Sequence, residues 1–282
     1  MTTTTQPRAW LPEQVGALVV QPVTAASIAM QAAYVSTAAD RVDSYAVPIV
    51  TADPTAGFVA EGTEIPASDI TLGEDRDTFH KIAGLTVISR EMADDSSPDV
   101  AQQIGQGLAR DIARRIDEAF FGTRASSTLP FRGLGDLTGV TEVAADEWKN
   151  GDPFTEAVYR AQEVGAQVGA FVTNPGTALA LAQLKEGTAS NRDLLQPDPT
   201  SPTVRRIAGV PLLVSPAVAE GVVWGLPNDG RVLLVIRQDV DLRRDESRFF
   251  TSDQVAIRAT LRITSLFGHA ASIVKINGPS GS

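Results

Sequence analysis

Cysteine is absent from all 282 residues, which excludes disulfides, thiolate metal ligands and a cysteine nucleophile. Histidine is nearly absent too. His80 and His269 stand alone in sequence, at no metal-ligand spacing. Lysine supplies only four of the 24 basic residues (Lys81, Lys149, Lys185 and Lys275). The others are arginines, which suit paired and interfacial contacts better than plain solvation. Basic charge is outweighed by acidic charge, for a formal net charge of −10. That balance disfavours generic phosphate binding and makes a nucleic-acid reader the weakest functional class. No stretch approaches the ~18 apolar residues of a membrane span. Met1 to Trp10 lacks a basic segment followed by an apolar one, so a signal peptide is not expected and cytosolic synthesis is. There is no Walker loop and no Gly-x-Ser-x-Gly elbow. The glycines of Gly133 to Gly139 are spaced one residue too far for a dinucleotide fingerprint and read as a loop. Acidic pairs such as Asp94-Asp95 and Asp75-Asp77 read as surface residues, and Trp10, Trp148 and Trp224 as packing anchors.

The clearest positive feature is a helix from Pro98 to Phe121. Proline suits the first helical position, Ser97 can cap it, and Asp99 complements the dipole. Val100, Ile104, Leu108, Ile112, Ile116 and Phe120 recur every fourth residue as a drifting apolar stripe. Arg110, Asp111, Arg114, Arg115, Asp117 and Glu118 are assigned to the opposite, solvated face, with Asp111–Arg115 and Arg114–Glu118 spaced to pair. Gly122 marks the stop. The cleanest strand is Val255 to Thr264, with Val255, Ile257, Ala259, Leu261 and Ile263 on one face and Ala256, Arg258, Thr260, Arg262 and Thr264 on the other. Its apolar face is the expected bed for the helical stripe, and Ser272 to Ile276 its expected hairpin partner.

Elsewhere, residues 1–45 are weakly patterned, with a short turn or helix possible within Ala25 to Ala39. Val47 to Val50, Gly57 to Ala60, Ile70 to Leu72 and Thr78 to Ile88 read as strands, with Gly73 and Gly84 as breaks. From residue 53 to 81, seven acidic residues face two basic ones, a net charge of −5. A two-stranded ribbon of that size is marginal alone in water. Residues 152–230 read as an α/β unit. One helix opens at Asp152-Pro153 with Phe154, Val158, Ala161 and Val168 on a face. Ala170 to Thr173 is a strand. A second helix begins at Asn174-Pro175, carries Leu179, Leu181 and Leu184, and ends at Gly187. A proline-rich loop, Asn191 to Pro202, precedes a strand pair split at Gly209. Val232 to Ile236 is a continuous apolar run and hence a buried strand.

In this order, the parts resemble the HK97-fold major capsid proteins of tailed bacteriophages. The resemblance rests on Phe58-Val59-Ala60-Glu61-Gly62-Thr63-Glu64-Ile65-Pro66 followed by His80-Lys81-Ile82-Ala83-Gly84-Leu85-Thr86-Val87-Ile88-Ser89-Arg90-Glu91. It extends to Ile112 to Phe120, Val172 to Pro175, Gly209 to Pro216 and Ser252 to Ala259. It implies an α+β capsid fold in five parts. These are an N-terminal arm (1–45), an E-loop hairpin with flanking strands (46–90, the extended loop at 52–83) and a peripheral domain with its spine helix (91–149, helix 98–121). An α/β axial domain (150–230) and a peripheral β return with the tail (231–282) complete it.

The implied function is self-assembly, as pentamers and hexamers, into the icosahedral shell around a double-stranded DNA genome. Implied partners are further copies of the chain, a portal ring, a scaffold, a maturation protease and a decoration protein. DNA would be enclosed without sequence-specific contacts. The resemblance implies no enzyme activity, no catalytic residue, no cofactor, no metal and no membrane, and a location in virions assembled in the host bacterial cytoplasm. Only about 45 residues precede the hairpin, so scaffolding is expected from a separate protein. No lysine lies between Asp53 and His80, so the lysine-to-asparagine weld of some family members is not expected.

The candidate inter-subunit residues are the acidic Asp53, Glu61, Glu64, Asp69, Glu74, Asp75 and Asp77 against the basic Arg243, Arg244, Arg248, Arg258 and Arg262. The competing reading leaves both sets as solvated faces, each pair contributing ~0–1 kcal/mol. Two other functions remain open: an encapsulin-like nanocompartment shell, and a soluble α/β enzyme or binding protein.

Overall fold

The computed structural model describes residues 23, 26–38, 42–52, 58–59, 62, 71–89, 98–124, 130–185, 195, 205–245, 247 and 249–279. In chain order these form α1 (Ile28–Ala32), β1 (Tyr34–Thr37), β2 (Ser44–Ala52), β3 (Thr71–Thr78), β4 (His80–Ser89), α2 (Pro98–Phe121) and β5 (Thr141–Ala144). There follow α3 (Asp152–Glu163), β6 (Val168–Thr173), α4 (Pro175–Ala182), β7 (Arg205–Ile207), β8 (Val210–Val214), β9 (Val222–Pro227), β10 (Val232–Asp245), β11 (Gln254–Phe267) and β12 (Val274–Asn277). The expected cap at Ser97, the stop at Gly187, most of the strand at Gly57 to Ala60, and Trp10 lie outside the described residues.

Three sheets result. One has four strands in the order β1-β10-β11-β4, one has six in the order β5-β12-β9-β6-β8-β7, and β2 and β3 form a two-stranded ribbon. Helix α2 lies on the four-stranded sheet, as the apolar stripe predicted. Ile112, Ile116 and Phe120 are buried with Ala109, Ala113 and Ala119 in one cluster with Ala259, Leu261 and Ile263 of β11. The same cluster takes in Val172, Trp224 and Leu226, so both larger sheets share a core. Gly84 proves to be no break. It sits inside β4, where a β-carbon would meet Leu108 Cδ2 at 3.0 Å, so its missing side chain admits the helix. Gly73 likewise lies within β3.

Two expected placements are corrected. Residues 272–276 do not form a hairpin with β11. Both edges of β11 are already occupied by β10 and β4, whereas β12 inserts between β5 and β9 and buries Val274 and Ile276 completely. Val168 opens β6 and is not part of helix α3, whose buried face is Phe154, Ala157 and Ala161.

Asp117 does not face solvent; it is 6% exposed. Its Oδ1 accepts hydrogen bonds from Ser27 Oγ (2.7 Å) and the Ala29 amide (3.0 Å), and its Oδ2 from the Ile28 amide (3.1 Å) and Ser215 Oγ (3.4 Å). One carboxylate therefore joins α1, α2 and the loop after β8. Burial pushes its pKa up, opposed by those hydrogen bonds. On the exposed side, Arg114 pairs with Asp111 (2.6 Å) and reaches Glu118 at 4.0 Å, while Arg115 turns to Glu118 (2.9 Å).

The Gly133-to-Gly139 loop folds back on the end of α2, burying Leu134. A β-carbon at Gly133 would lie 2.2 Å from the Gly122 carbonyl oxygen and 2.6 Å from that of Ala119. Both obstacles are main chain and cannot swing aside. Gly133→Ala is expected to lower stability by about 1–3 kcal/mol, read as a shift in the urea midpoint at unchanged m-value.

Candidate inter-subunit surface

The four-stranded sheet has a helix-facing side and an outward side, because successive side chains alternate. On the outward side, Leu233 and Val235 of β10 and Leu266 of β11 are buried under Tyr45, Val47 and Phe79, which belong to the ribbon and its root. The ribbon's base thus covers one half of this face. The other half has no such cover among the described residues. There Leu85 is 61% exposed and Val87 38% exposed, large fractions for apolar side chains on a sheet.

Around those two residues the register collects positive charge. Arg243, Arg258 and Leu85 occupy one rung across β10, β11 and β4; Arg262 stands directly opposite Lys81. Like charges directly opposite destabilise a ladder by a few tenths of a kcal/mol or more. Arg258 and Lys81 are exposed and Arg262 half-buried. Among the described residues these three form no ion pair. An anionic partner would relieve the Arg262–Lys81 rung and pair with Arg258 while covering Leu85 and Val87.

The sequence-predicted residues thus separate. Arg243, Arg258 and Arg262 are brought onto one face. Arg244 occupies the rung of Ile257, one step off the Arg243–Arg258 rung. Arg248, Asp53, Glu61, Glu64 and Asp69 lie outside the described residues. Glu74 is exposed on the ribbon and pairs locally with Arg76 at 2.7 Å. Asp77 is half-buried, accepting the Thr78 amide at 2.8 Å and lying 3.9 Å from His80 Nε2.

Asp75 is removed from the inter-subunit set, because its charge is used within the chain. It is 8% exposed. Arg132 Nη2 donates to both its oxygens (2.7 and 2.6 Å), and the Phe267 amide donates to Oδ2 at 2.9 Å. Alternation along β3 foretells the split: Glu74 and Arg76 share a face opposite to that of Asp75 and Asp77. Arg132 was missed, since it lies in a glycine-rich loop with no periodicity to place it. Lys81, Leu85 and Val87 were missed as surface residues because β4 carries apolar side chains on both faces.

Among the described residues, no three His, Asp or Glu side chains gather as they would around a metal. No described helix is long and apolar enough to cross a membrane.

No curated protein sequence matches the chain. Solved structures do. The capsid of the native GTA particle superposes with a TM-score of 0.67 at 19% identity, over 99% of this chain and 95% of that one. The Microbacterium phage Oxtober96 structure gives 0.68 at 18% identity, over 99% and 96%. A virus-like particle from Pyrococcus furiosus gives 0.63 at 14% identity, over 94% and 98%. The profile of the phage capsid family matches residues 9–278, nearly the whole chain. A long helix on a four-stranded sheet, a protruding ribbon and a six-stranded α/β layer, together with that match, show that the chain belongs to the phage capsid family and has its HK97-like α+β fold.

Proposed function

We propose that the chain is the subunit of a closed icosahedral shell, assembled as pentamers and hexamers around double-stranded DNA and located in the virion. The observation that carries this reading is the half-covered outward face of the four-stranded sheet. The half left uncovered among the described residues offers Arg258, Arg262 and Lys81 around exposed Leu85 and Val87. The hairpin segment, with its net charge of −5 between residues 53 and 81, is the complementary surface of a neighbouring copy. In this reading residues 52–83 are the E-loop, residues 150–230 the axial domain, and 231–282 the peripheral return. Assembly takes place in the host bacterial cytoplasm, with portal, scaffold and decoration proteins as further partners. The chemistry is non-covalent, so burial and charge complementarity hold the shell.

Negative-stain microscopy of the purified full chain tests this directly. Closed particles with fivefold and sixfold capsomers are expected. A chain that stays monomeric across salt and concentration would sink the proposal. The likeness to the Pyrococcus furiosus virus-like particle supports a second reading, a nanocompartment that encloses protein. Nucleic acid in particles recovered from the native host selects the first reading, and enclosed protein the second.

A further inference from the structure

The attachments of the β2–β3 ribbon to the rest of the chain are concentrated near one end. At the root, Arg237 Nη1 donates to Asp43 at 3.1 Å and Phe79 packs beneath. Two further apolar contacts, from Tyr45 and Val47, reach the four-stranded sheet. Val47 stands directly opposite Asp75 in the ladder. On this last rung one strand is held by packing and the other by an ion pair whose carboxylate is buried and whose guanidinium is half-buried. Arg132, which receives Asp75, is itself fixed: its carbonyl accepts Ser265 Oγ at 2.6 Å, and its guanidinium lies 5.6 Å from the centre of the Phe267 ring. Both Ser265 and Phe267 belong to β11, so the pair clamps the ribbon to the sheet that bears the cationic face. Beyond the rung, among the described side chains of Pro48, Ile49 and Glu74, no hydrogen bond, ion pair or core contact with the body is seen.

We propose that the Asp75–Arg132 pair is the fulcrum of the ribbon: it fixes the pitch of β2 and β3 against the four-stranded sheet, and thereby the angle between neighbouring subunits. The claim about subunit angle rests on the shell reading above; the claim about the ribbon does not. From the Asp75 rung to Thr71 the strand measures roughly 13 Å at ~3.3 Å per residue. Releasing Asp75 leaves Val47 alone to hold this rung; each time that packing opens, the last held rung is Tyr45–Asp77 and the lever to Thr71 grows to roughly 20 Å. A longer and looser lever spreads the angles at which copies meet, so shells lose uniform curvature.

The test compares the wild-type chain with Asp75→Asn, which is isosteric, and Arg132→Lys, which keeps the charge but removes the planar guanidinium. Hydrogen exchange reports the ribbon without requiring assembly. Amides of residues 45–50 and 71–76 are expected to exchange at least tenfold faster in either variant, while those of 255–263 in β11 keep the wild-type rate. Unchanged ribbon exchange overturns the fulcrum. So does acceleration spread equally over β11, which marks a general stability residue instead. Microscopy of assembled particles gives the second readout. A broadened diameter distribution in the variants supports the control of curvature, and a distribution identical to wild type overturns it. If the wild type itself forms no shells, the shell reading fails, and the exchange data still decide the fulcrum.

Discussion

Replacing Arg258 and Arg262 together with glutamate is expected to abolish shell closure at physiological ionic strength while leaving the subunit folded. Each exposed ion pair contributes only ~0–1 kcal/mol, but reversal turns attraction into repulsion of similar size. Two reversed sites thus shift each contact by about 1–3 kcal/mol, a factor of roughly five to a hundred in its equilibrium constant. Every subunit in a closed shell carries that change, so the effect multiplies through assembly. In the isolated subunit the same substitutions act in the opposite direction. Arg262 stands opposite Lys81, and a glutamate there converts a repulsive rung into an attractive one. The variant should therefore unfold at an equal or slightly higher urea concentration while failing to assemble, a combination that a folding defect cannot produce. Raising salt towards 1 M shortens the screening length from about 8 to about 3 Å. The gap between variant and wild type in sedimentation should narrow accordingly. Equal particle yield with equal salt sensitivity would show that both charged faces are merely solvated.

Asp117→Ala is the second large effect, and it falls on the subunit. Truncation removes the acceptor of Ser27 Oγ and of the Ile28 and Ala29 amides, in a site where Ser27 and Ala29 are fully buried. A buried donor left without an acceptor costs about 1–3 kcal/mol, so the loss should be roughly 3–5 kcal/mol in urea unfolding. Asp117→Asn keeps one acceptor but turns an NH₂ group towards amide donors, and should fall between alanine and wild type. The pH dependence has a defined sign. The folded-state pKa of Asp117 is raised above the ordinary value of 3.8 because burial disfavours the charged form. Over that interval the folded chain holds a proton that the unfolded chain has lost, so this group subtracts stability as pH rises through it. The advantage of wild type over Asp117→Asn should be largest in acid and shrink as pH rises from 3.8 through the raised value towards neutrality. A flat difference, or one that grows with pH, would contradict the assignment.

These two sites illustrate what could be read in advance. The basic face followed from strict alternation in β11, because period two alone puts Arg258 and Arg262 on the same side. Helix α2 was legible for the same kind of reason: a sustained four-residue recurrence admits little else. Asp117 was not. It lies one position past Ile116, near the edge of the apolar stripe, and its burial depends on α1 and Ser215 arriving from distant parts of the chain. Residue type alone sent it to the solvent. The place of β12 was hidden for a related reason. Proximity in sequence favours a hairpin with β11, and only the occupancy of both β11 edges sends it to the other sheet. Pairings decided by which edges remain vacant are a property of the whole topology, and no local window contains them.

The same topology bears on when the molecule becomes competent. Tyr34 of β1 lies beside Leu233 of β10, and Thr141 of β5 beside Val274 of β12; both are parallel ladders joining early segments to late ones. A ribosome delivers these partners in the wrong order for early closure. Among the described residues β1 has no neighbour until β10 emerges, and the six-stranded layer stays open until β12 is made. Such long-range pairing slows folding relative to local structure. On the shell reading, a growing polypeptide would not yet possess the face its siblings grip, and copies tethered along one messenger would not nucleate shells around the machinery that produces them.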